Sequence, residues 1–563
     1  MKPSPCLRLT EIKLPLDHAP EALNAVVMER LKLQAYEIVS ISIVRRGFDA
    51  RKKSDIHFIY TLDVQTADNA GVLARAQRMP KLATHIGETP DTSYQFVTRA
   101  TDRSFKRPVV IGTGPCGLFA ALTLAQMGFK PIVLERGKAV RERTKDTWAF
   151  WRKSQLQAES NVQFGEGGAG TFSDGKLWSQ VKDPLFHGRK VLEDMVRAGA
   201  PDEIMYVSKP HVGTFRLVKV VEFLREEICA LGGEFRFSSK VTDILLEKSA
   251  IKPVETAQAA IKGVVLEDGT QIDADHVVLA IGHSARDTFE MLHAKGVYVE
   301  AKPFSVGFRI EHPQGLIDRA RFGPFAGNDM LGAADYKLVH HADNGRSVYS
   351  FCMCPGGTVV AAASEPYRVV TNGMSQYSRN ERNANAGIVV GVTPADYPDH
   401  VAKPLAGFAF QRTLESHAYT LGGSNYHAPG QLVGDFVTGK PSTQLGSVEP
   451  SYQPGVLLGD LHSALPAYAI AAMREALPVF GKKIRGFDMH DAVLTGVETR
   501  TSSPVKITRG DNFQSLNVKG LYPAGEGASY AGGILSAGVD GIEVAEAVAR
   551  NICDQPARKT WPR

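Results

Sequence analysis

Gly112-Thr113-Gly114-Pro115-Cys116-Gly117 has the spacing G-x-G-x-x-G, and Glu135 stands 18 residues past its last glycine. After a strand and at the start of a helix, such glycines allow a tight turn and bring backbone close to a pyrophosphate. Unpaired N–H groups at the helix start then donate to the phosphate oxygens. Glu135 is the expected acceptor for adenosine ribose hydroxyls, and its neighbour Arg136 is assigned to the same ligand. The chemistry these residues suit is the binding of a dinucleotide.

A second match, Gly165-Glu166-Gly167-Gly168-Ala169-Gly170, is followed by TFSDGKLW rather than by an apolar helix, and no strand with a terminal acid comes after it. It is not a second turn of the same kind. Its free backbone amides still suit close approach to a cofactor, so Gly165, Gly167, Gly168, Ala169, Gly170 and Thr171 are read as contacts, with Asp174 and Lys176 facing the ligand. A third cluster lies in LYPAGEGASYAGGILSAGVDGIEVAEAVARNI, where Gly525 and Glu526 occupy a loop and Gly533-Ile534 opens a helix. An isolated nucleotide-binding domain needs no such closing segment. FAD does, because its ribityl-isoalloxazine end must be held away from the first β-α-β unit. Glu526 can accept from ribityl hydroxyls, and a helix starting near Gly533 would turn its positive end toward the flavin N1/C2=O edge, favouring the anionic reduced form.

Flavin carries the redox step itself, so few catalytic side chains are required. His283 is a candidate proton donor or substrate contact, with an ordinary turn histidine as the alternative. Arg286 and Arg309 suit an anionic substrate or a structural salt bridge, and Lys176 is the third catalytic candidate. Cys352 and Cys354 form C-x-C, readable as a redox dithiol or, preferably, as core thiols. Tyr419, Tyr426 and Phe436 are read as packing rather than as a cap on a cleft. No metal-ligand spacing is evident, and no metal is expected.

The elements that must position these groups are legible in part. PVVI is a strand before the turn, GLFAALTLAQM a helix stopped by Gly128, and PIVLE a strand ending in Glu135. FLREEICALGG reads as helix, EFRFSSKVTDILL as strand, GVVLEDGTQI as a hairpin with Asp268-Gly269 at its tip, and HVVLAIG as a buried strand. Residues from about 300 to 490 are irregular and rich in Gly, Pro and Tyr. The strand-turn-helix grammar then returns, so the nucleotide fold is expected to be discontinuous. The first 100 residues read as a small α+β unit: strand LRLTEIKLP, helix EALNAVVMERLKL, and strands IVSISIVRR and DIHFIYTLDV. The joining run RRGFDARKK is expected to be a solvated hairpin tip, with anion or RNA contact as the alternative.

With these elements in hand, the chain resembles the two-dinucleotide-fold flavoproteins, and within them the uncharacterised FAD-dependent, or NAD(FAD)-utilising, dehydrogenases. The segments carrying the resemblance include SNVQFGEGGAGTFSDGKLW, KPHVGTFRL, AIGHSARDTFEML, SVGFRIEHPQ, CMCPGGTVVAAASE and PAGEGASYAGGILSAGVDGI. The resemblance implies FAD and an oxidoreductase fold, and no particular substrate. It implies that Gly112, Gly114, Pro115, Cys116, Gly117 and Glu135 hold the ADP half and that backbone near Val241 meets the adenine. Ala280-Ile281-Gly282 takes the place of an Ala-Thr-Gly turn, and Gly525-Glu526 that of Gly-Asp.

The 563 residues suffice for two to four domains, and 43% hydrophobic with 22% charged residues excludes wholesale disorder. The net charge of +5 implies no strong whole-protein field, so nucleic acid is an unlikely partner and a small molecule the expected one. Six cysteines without C-x-x-C suit a reducing compartment; the N-terminus lacks a signal-peptide pattern, so the cytoplasm is expected. The uncharged run Pro108 to Phe129 is broken by glycines and is not read as a membrane span.

The fold expected is α/β: a Rossmann-like FAD-binding domain (104–300 and 490–563) enclosing an inserted α/β substrate domain (301–489), after an N-terminal α+β accessory module (1–100). The function expected is a FAD-dependent oxidoreductase of dehydrogenase or reductase type, with reduced nicotinamide, NAD(P)H, as a candidate transient donor. A flavin-dependent RNA-modifying enzyme and a non-catalytic flavin-binding redox sensor or scaffold are the alternatives.

Overall fold

In the computed structural model, residues 6–101, 104–179, 181–248, 259–397 and 403–556 are described. Residues 1–5, read with the N-terminus, and 102–103 of the connector TRATDRSFKR lie outside them.

Five short parallel strands form the central sheet, in the order Leu521–Pro523, Val277–Leu279, Val109–Ile111, Ile132–Leu134, Glu234–Arg236. Their side chains alternate between two cores. Val110, Val133, Val278 and Tyr522 face helices Pro115–Gln126 and Ile534–Ile552. Val109, Ile111, Val277 and Leu279 face the opposite layer, which includes Ile244, Ile261 and Val264 of an antiparallel sheet. Apolar runs such as VVI and VVL are what strands covered on both faces require. The last strand and helix come from the end of the chain, so the nucleotide fold is discontinuous, as expected. The run Pro108 to Phe129 supplies a strand, a turn and a helix, and among the described residues no helix is long and apolar enough to cross a membrane.

The middle of the chain is more regular than its composition suggests. Its seven-stranded sheet runs Val339–His341, Ser347–Cys354, Asn383–Val392, Phe304–Pro313, Val493–Glu498, Ala428–Leu432, Val456–Leu458, all antiparallel except the final pair. Val493–Glu498 pairs with Phe304–Pro313 in its centre, so the sheet extends past residue 489, where the sequence reading placed its edge. The hairpin Gly357–Ala361/Thr371–Ser375 and the helices Ala406–Leu421 and Ala467–Lys483 pack on it.

The N-terminal module is a four-stranded antiparallel sheet, ordered Ile38–Asp49, His57–Thr66, Leu7–Pro15, Ile86–Glu88, with helices Ala22–Leu31 and Asn69–Gln77. The basic run corrects an expectation. Arg45 to Asp49 lie within the strand, paired with Thr61 to His57, and only the following residues form the tip. Arg46 stacks on Phe58 and Tyr206, and its backbone pairs with Tyr206 and Ser208, while Arg51 is tied to Asp49. Arg46 thus joins the module to the nucleotide domain, while Arg45, Arg51, Lys52 and Lys53 are exposed, the last three at the hairpin tip as expected.

Candidate active site

The turn after Val109–Ile111 is glycine for a steric reason. Gly112 has φ +99°, and a Cβ there would lie 2.3 Å from the Ala280 carbonyl oxygen. The turn delivers the chain to the helix Pro115–Gln126, whose start at Gly114 has no side-chain cap, leaving first-turn N–H groups for a ligand. Thr113 then receives the second glycine loop: the Gly167 N–H donates to its carbonyl at 2.9 Å. Arg143, fully buried, holds that loop from behind by donating to the carbonyls of Asn161, Val162, Gly165 and Glu166. Burial brings its guanidinium down to about 10, against the pull of Glu135 and Glu166.

Glu135 stands where the spacing places it, on the cleft at the end of its strand, but its carboxylate is already engaged. The Thr113 N–H (3.0 Å) and hydroxyl (2.6 Å) donate to one oxygen, and the Gly137 (2.8 Å) and Gly165 (3.0 Å) N–H groups to the other. Two carboxylate oxygens offer about four lone-pair sites. Glu135 therefore ties the two glycine loops together, which corrects its assignment as the ribose acceptor. Arg136 lines the same end, stacked 4.1 Å from the Phe164 centroid and paired with Glu159 and Asp287, both also held by Lys240.

The cleft, a cavity of about 380 Å³, continues from this turn past Ala280-Ile281-Gly282 to Gly525-Glu526 and the start of the helix Ile534–Ile552. That helix also begins without a side-chain cap. Its buried Asp540 accepts from the Gly525 N–H (2.8 Å) and is paired with Arg509 (2.6 Å), fixing the loop to the helix. Gly532 and Gly533 line the cleft, and a Cβ on either would meet nothing within 4 Å. Gly533 is extended, at φ −178°. Neither local packing nor backbone strain demands glycine at 533, and the missing side chain leaves that part of the cleft open for a ligand to lie against the backbone. Two helix N-termini without side-chain caps, joined by one cleft and bordered by glycines, fit a dinucleotide with a negatively charged pyrophosphate and an electron-accepting ring at its far end.

At that far end the charges are arranged in pairs. Asp174 is buried between Arg379 and Lys176; burial pushes its carboxyl up, but the two cations hold it below the ordinary range. Lys176 donates to the Met353 carbonyl; burial works against its charge, and Cys354, Cys352 and Asp174 together more than offset this. Burial in the cleft pushes Glu526 up to about 7, with Lys302 pulling the other way. His283 Nδ1 meets the Ser284 hydroxyl at 2.9 Å, and Nε2 lies 3.9 Å from Glu526. Burial, reinforced by Arg500 and Arg286, takes His283 down to about 3. Its imidazole is neutral at ordinary pH, which argues against the proton-donor reading of His283 and leaves the substrate contact and the turn histidine.

Of the residues singled out, Gly112, Gly114, Pro115, Cys116, Glu135, Arg136, Gly165, Gly168, Ala169, Gly170, Asp174, Lys176, Val241, Ala280, Ile281, Gly282, His283, Gly525, Glu526, Gly533 and Ile534 line this one cleft. Gly117, Gly167 and Thr171 stand behind its wall. A Cβ at Gly117 would lie 1.9 Å from the Gly112 carbonyl oxygen, so this glycine serves turn-to-helix packing, and one at Gly167 would strike the Thr171 hydroxyl at 2.1 Å. Arg286 is not substrate-facing: only 1% exposed, it donates to Glu415, Glu365 and Gln411. Arg309 is likewise buried on Glu498, Asn385 and Asn372. Phe436 is fully buried, and Tyr426 packs edge-on against Phe150 and Tyr419.

Arg500 was missed. It lines the cleft just beyond the strand Val493–Glu498 and donates to Ser284, Ser364 and Glu415. The polar run ETRTSS ending an apolar strand is the signal that marks it. Phe351, in a strand of the middle sheet, and Asn372, in the hairpin packed on it, also lie on the cleft and carry no comparable signal.

Comparison with known proteins bears on this arrangement. The model of a family described as "FAD-dependent protein, C-terminal domain-like" matches residues 303–501, the span of the seven-stranded sheet. A domain of unknown function matches residues 7–65. An uncharacterized protein of Clostridium beijerinckii is 47% identical over 541 residues, covering 96% of this chain and 98% of its own. Similar solved structures include CtdE in complex with FAD (TM-score 0.31, 13% identity, 80% of this chain and 84% of that one). Another is a geranylgeranyl bacteriochlorophyll reductase-like protein from Thermoplasma acidophilum (TM-score 0.34, 11% identity, 80% and 81%). A third is an L-amino acid deaminase from Proteus myxofaciens (TM-score 0.32, 12% identity, 83% and 95%).

Proposed function

For this chain, which belongs to the same family as the Clostridium beijerinckii protein and matches the FAD-dependent C-terminal-domain model, we propose the function of a FAD-dependent oxidoreductase acting on a small molecule. The observation that carries the reading is the single cleft joining two helix starts that lack side-chain caps, Gly114–Pro115 and Gly533–Ile534.

Bound there, FAD would supply hydride transfer at its N5. The chain's residues do the rest. The first-turn N–H groups of Pro115–Gln126 and the glycine loops held by Arg143 and Glu135 bind the pyrophosphate. Backbone at Val241 and the stacked Arg136 border the adenosine end, and Glu526 accepts from ribityl hydroxyls. The start of the helix Ile534–Ile552 stabilises negative charge on a reduced ring. Lys176 and Arg500 present positive charge to a substrate beside the ring, and the middle sheet and the hairpin packed on it close the cleft against water through Phe351 and Asn372. Neutral His283 accepts or donates a hydrogen bond to the substrate without changing charge.

No second nicotinamide fingerprint accompanies the first, so reduced nicotinamide docks only transiently if it is the donor. The free cysteines suit a reducing compartment, which favours the cytoplasm. Anaerobic titration of the holoprotein with NADH, NADPH and pooled metabolites, followed by flavin bleaching, tests the reading. At least one donor bleaches the flavin stoichiometrically. A flavin that no donor reduces contradicts an oxidoreductase.

A further inference from the structure

Resting on the flavin reading above, we propose that Cys352 and Cys354 form a redox-active dithiol on the wall of the cleft, with Cys352 as the reacting thiol and Cys354 as its resolving partner. Cys352 lines the cleft and is half-buried, whereas Cys354 is fully buried behind it. That is one thiol within reach of a ligand and one sheltered from it. The strand that carries them is irregular at this point: its register with Asn383–Val392 shifts between Phe351 and Cys354, and Cys352 has φ +40°, rare for a non-glycine residue. The Cys354 thiol folds back to donate to the Cys352 carbonyl at 3.4 Å, so the two residues meet across a bulge.

Two cations bracket the pair. Lys176 donates to the Met353 carbonyl between the cysteines, and Arg309 donates to the Cys352 carbonyl at 2.8 Å. Neighbouring cations are what turn a thiol into a reactive thiolate, whereas structural cysteines sit in apolar surroundings. In keeping with that geometry, the neighbouring Cys354 thiol, aided by Lys176 and Arg309 and opposed by burial, holds the Cys352 thiol well below its ordinary value, while the Cys352 side chain and burial hold Cys354 above it. The faced charges include Asp174, which opposes the thiolate and is itself tied to Arg379.

The step balances. From a Cys352 thiolate and a Cys354 thiol, one S–S bond forms and the Cys354 S–H bond breaks. Bound oxidised FAD would be the two-electron acceptor for this step, taking up the electron pair and that proton. The substrate class that fits is a small thiol: two thiols exchange with the Cys352–Cys354 disulfide, leave as their own disulfide, and restore the dithiol with their two protons and two electrons.

The test uses the intact protein. Iodoacetamide labelling at pH 7, read by peptide mass, is expected to modify Cys352 at least tenfold faster than Cys229, which is exposed but whose thiol burial pushes up. Diamide is expected to link Cys352 to Cys354 with loss of two hydrogens, in the wild type but not in Cys354→Ala. Labelling of Cys352 no faster than Cys229, or failure of diamide to link the pair, overturns the proposal without reliance on any variant. Neither readout needs flavin, so a preparation that passes both yet binds no FAD contradicts the cofactor reading alone.

Discussion

Glu415 is fully buried between Arg286 and Arg500, and although burial pushes its carboxyl up, the two guanidinium groups hold it well below the usual range. Arg286→Met removes one of those partners and leaves Glu365 and Gln411 short of a donor as well. Breaking a buried pair costs roughly 3–5 kcal/mol, so urea unfolding should show a loss of that size while retained flavin is still reducible. A variant of wild-type stability that no longer binds substrate would return Arg286 to the active site. Glu526 and Glu166 make the opposite kind of statement, because burial raises both to about 7. A raised carboxyl binds its proton more tightly in the folded chain than in the unfolded one. Its contribution to stability is complete below the unfolded value near 4.5 and is lost as pH rises through about 7. Glu526→Gln should flatten the fall in apoprotein stability between pH 5 and 8 measured by urea melts; an unchanged slope would mean that the carboxyl is not held protonated.

Elements with a single local signature could be read from the sequence, and those whose signature is erased by burial could not. The strand Val109–Ile111, its glycine turn and its helix announce themselves by apolar runs and positive-φ glycine, and Asp268-Gly269 marks its hairpin correctly. Phe304–Pro313 and Asn383–Val392 are buried at nearly every position, so the two-residue alternation that reveals a half-exposed strand is absent and the middle sheet reads as irregular. The run Arg45 to Asp49 misled for the reverse reason: its charges suggest solvent, but Phe58 and Tyr206 flank Arg46. Most candidate site residues were legible because the glycine loops are local patterns. Arg500 is marked only by the polar run ETRTSS that ends an apolar strand, and Asn372 reaches the cleft through a hairpin packed on the middle sheet, which no local pattern encodes. At this scale Arg143 matters most, since a buried carbonyl left without a donor costs about 1–3 kcal/mol. Arg143→Met takes the side-chain donor from four carbonyls in 161–166, of which that of Gly165 keeps the Gly168 N–H. Limited proteolysis should then cut within or beside that loop in the variant and spare it in the wild type; equal resistance would show that Arg143 does not hold it.

For the whole molecule, the consequential feature is that the cleft belongs to both larger units. The nucleotide fold supplies two helix starts and the glycine loops, while the middle sheet contributes Phe351 and Cys352 and places Arg500 just past its central strand, and the hairpin packed on it contributes Asn372. On the proposed reading the cofactor's adenosine end would rest on the first, and a substrate would enter between the two. The most direct measurement of this account is the FAD content of purified wild type and Gly533→Val, each reconstituted with excess FAD and desalted, with apoprotein stability measured alongside. A Cβ added at 533 meets no protein atom within 4 Å and the backbone there is extended, but 533 is the N-cap of its helix, where valine is poorer than glycine, so apoprotein stability should fall by only about 1 kcal/mol. Wild type should retain one FAD per chain and Gly533→Val almost none. Equal retention by both proteins, or none by either, would contradict it.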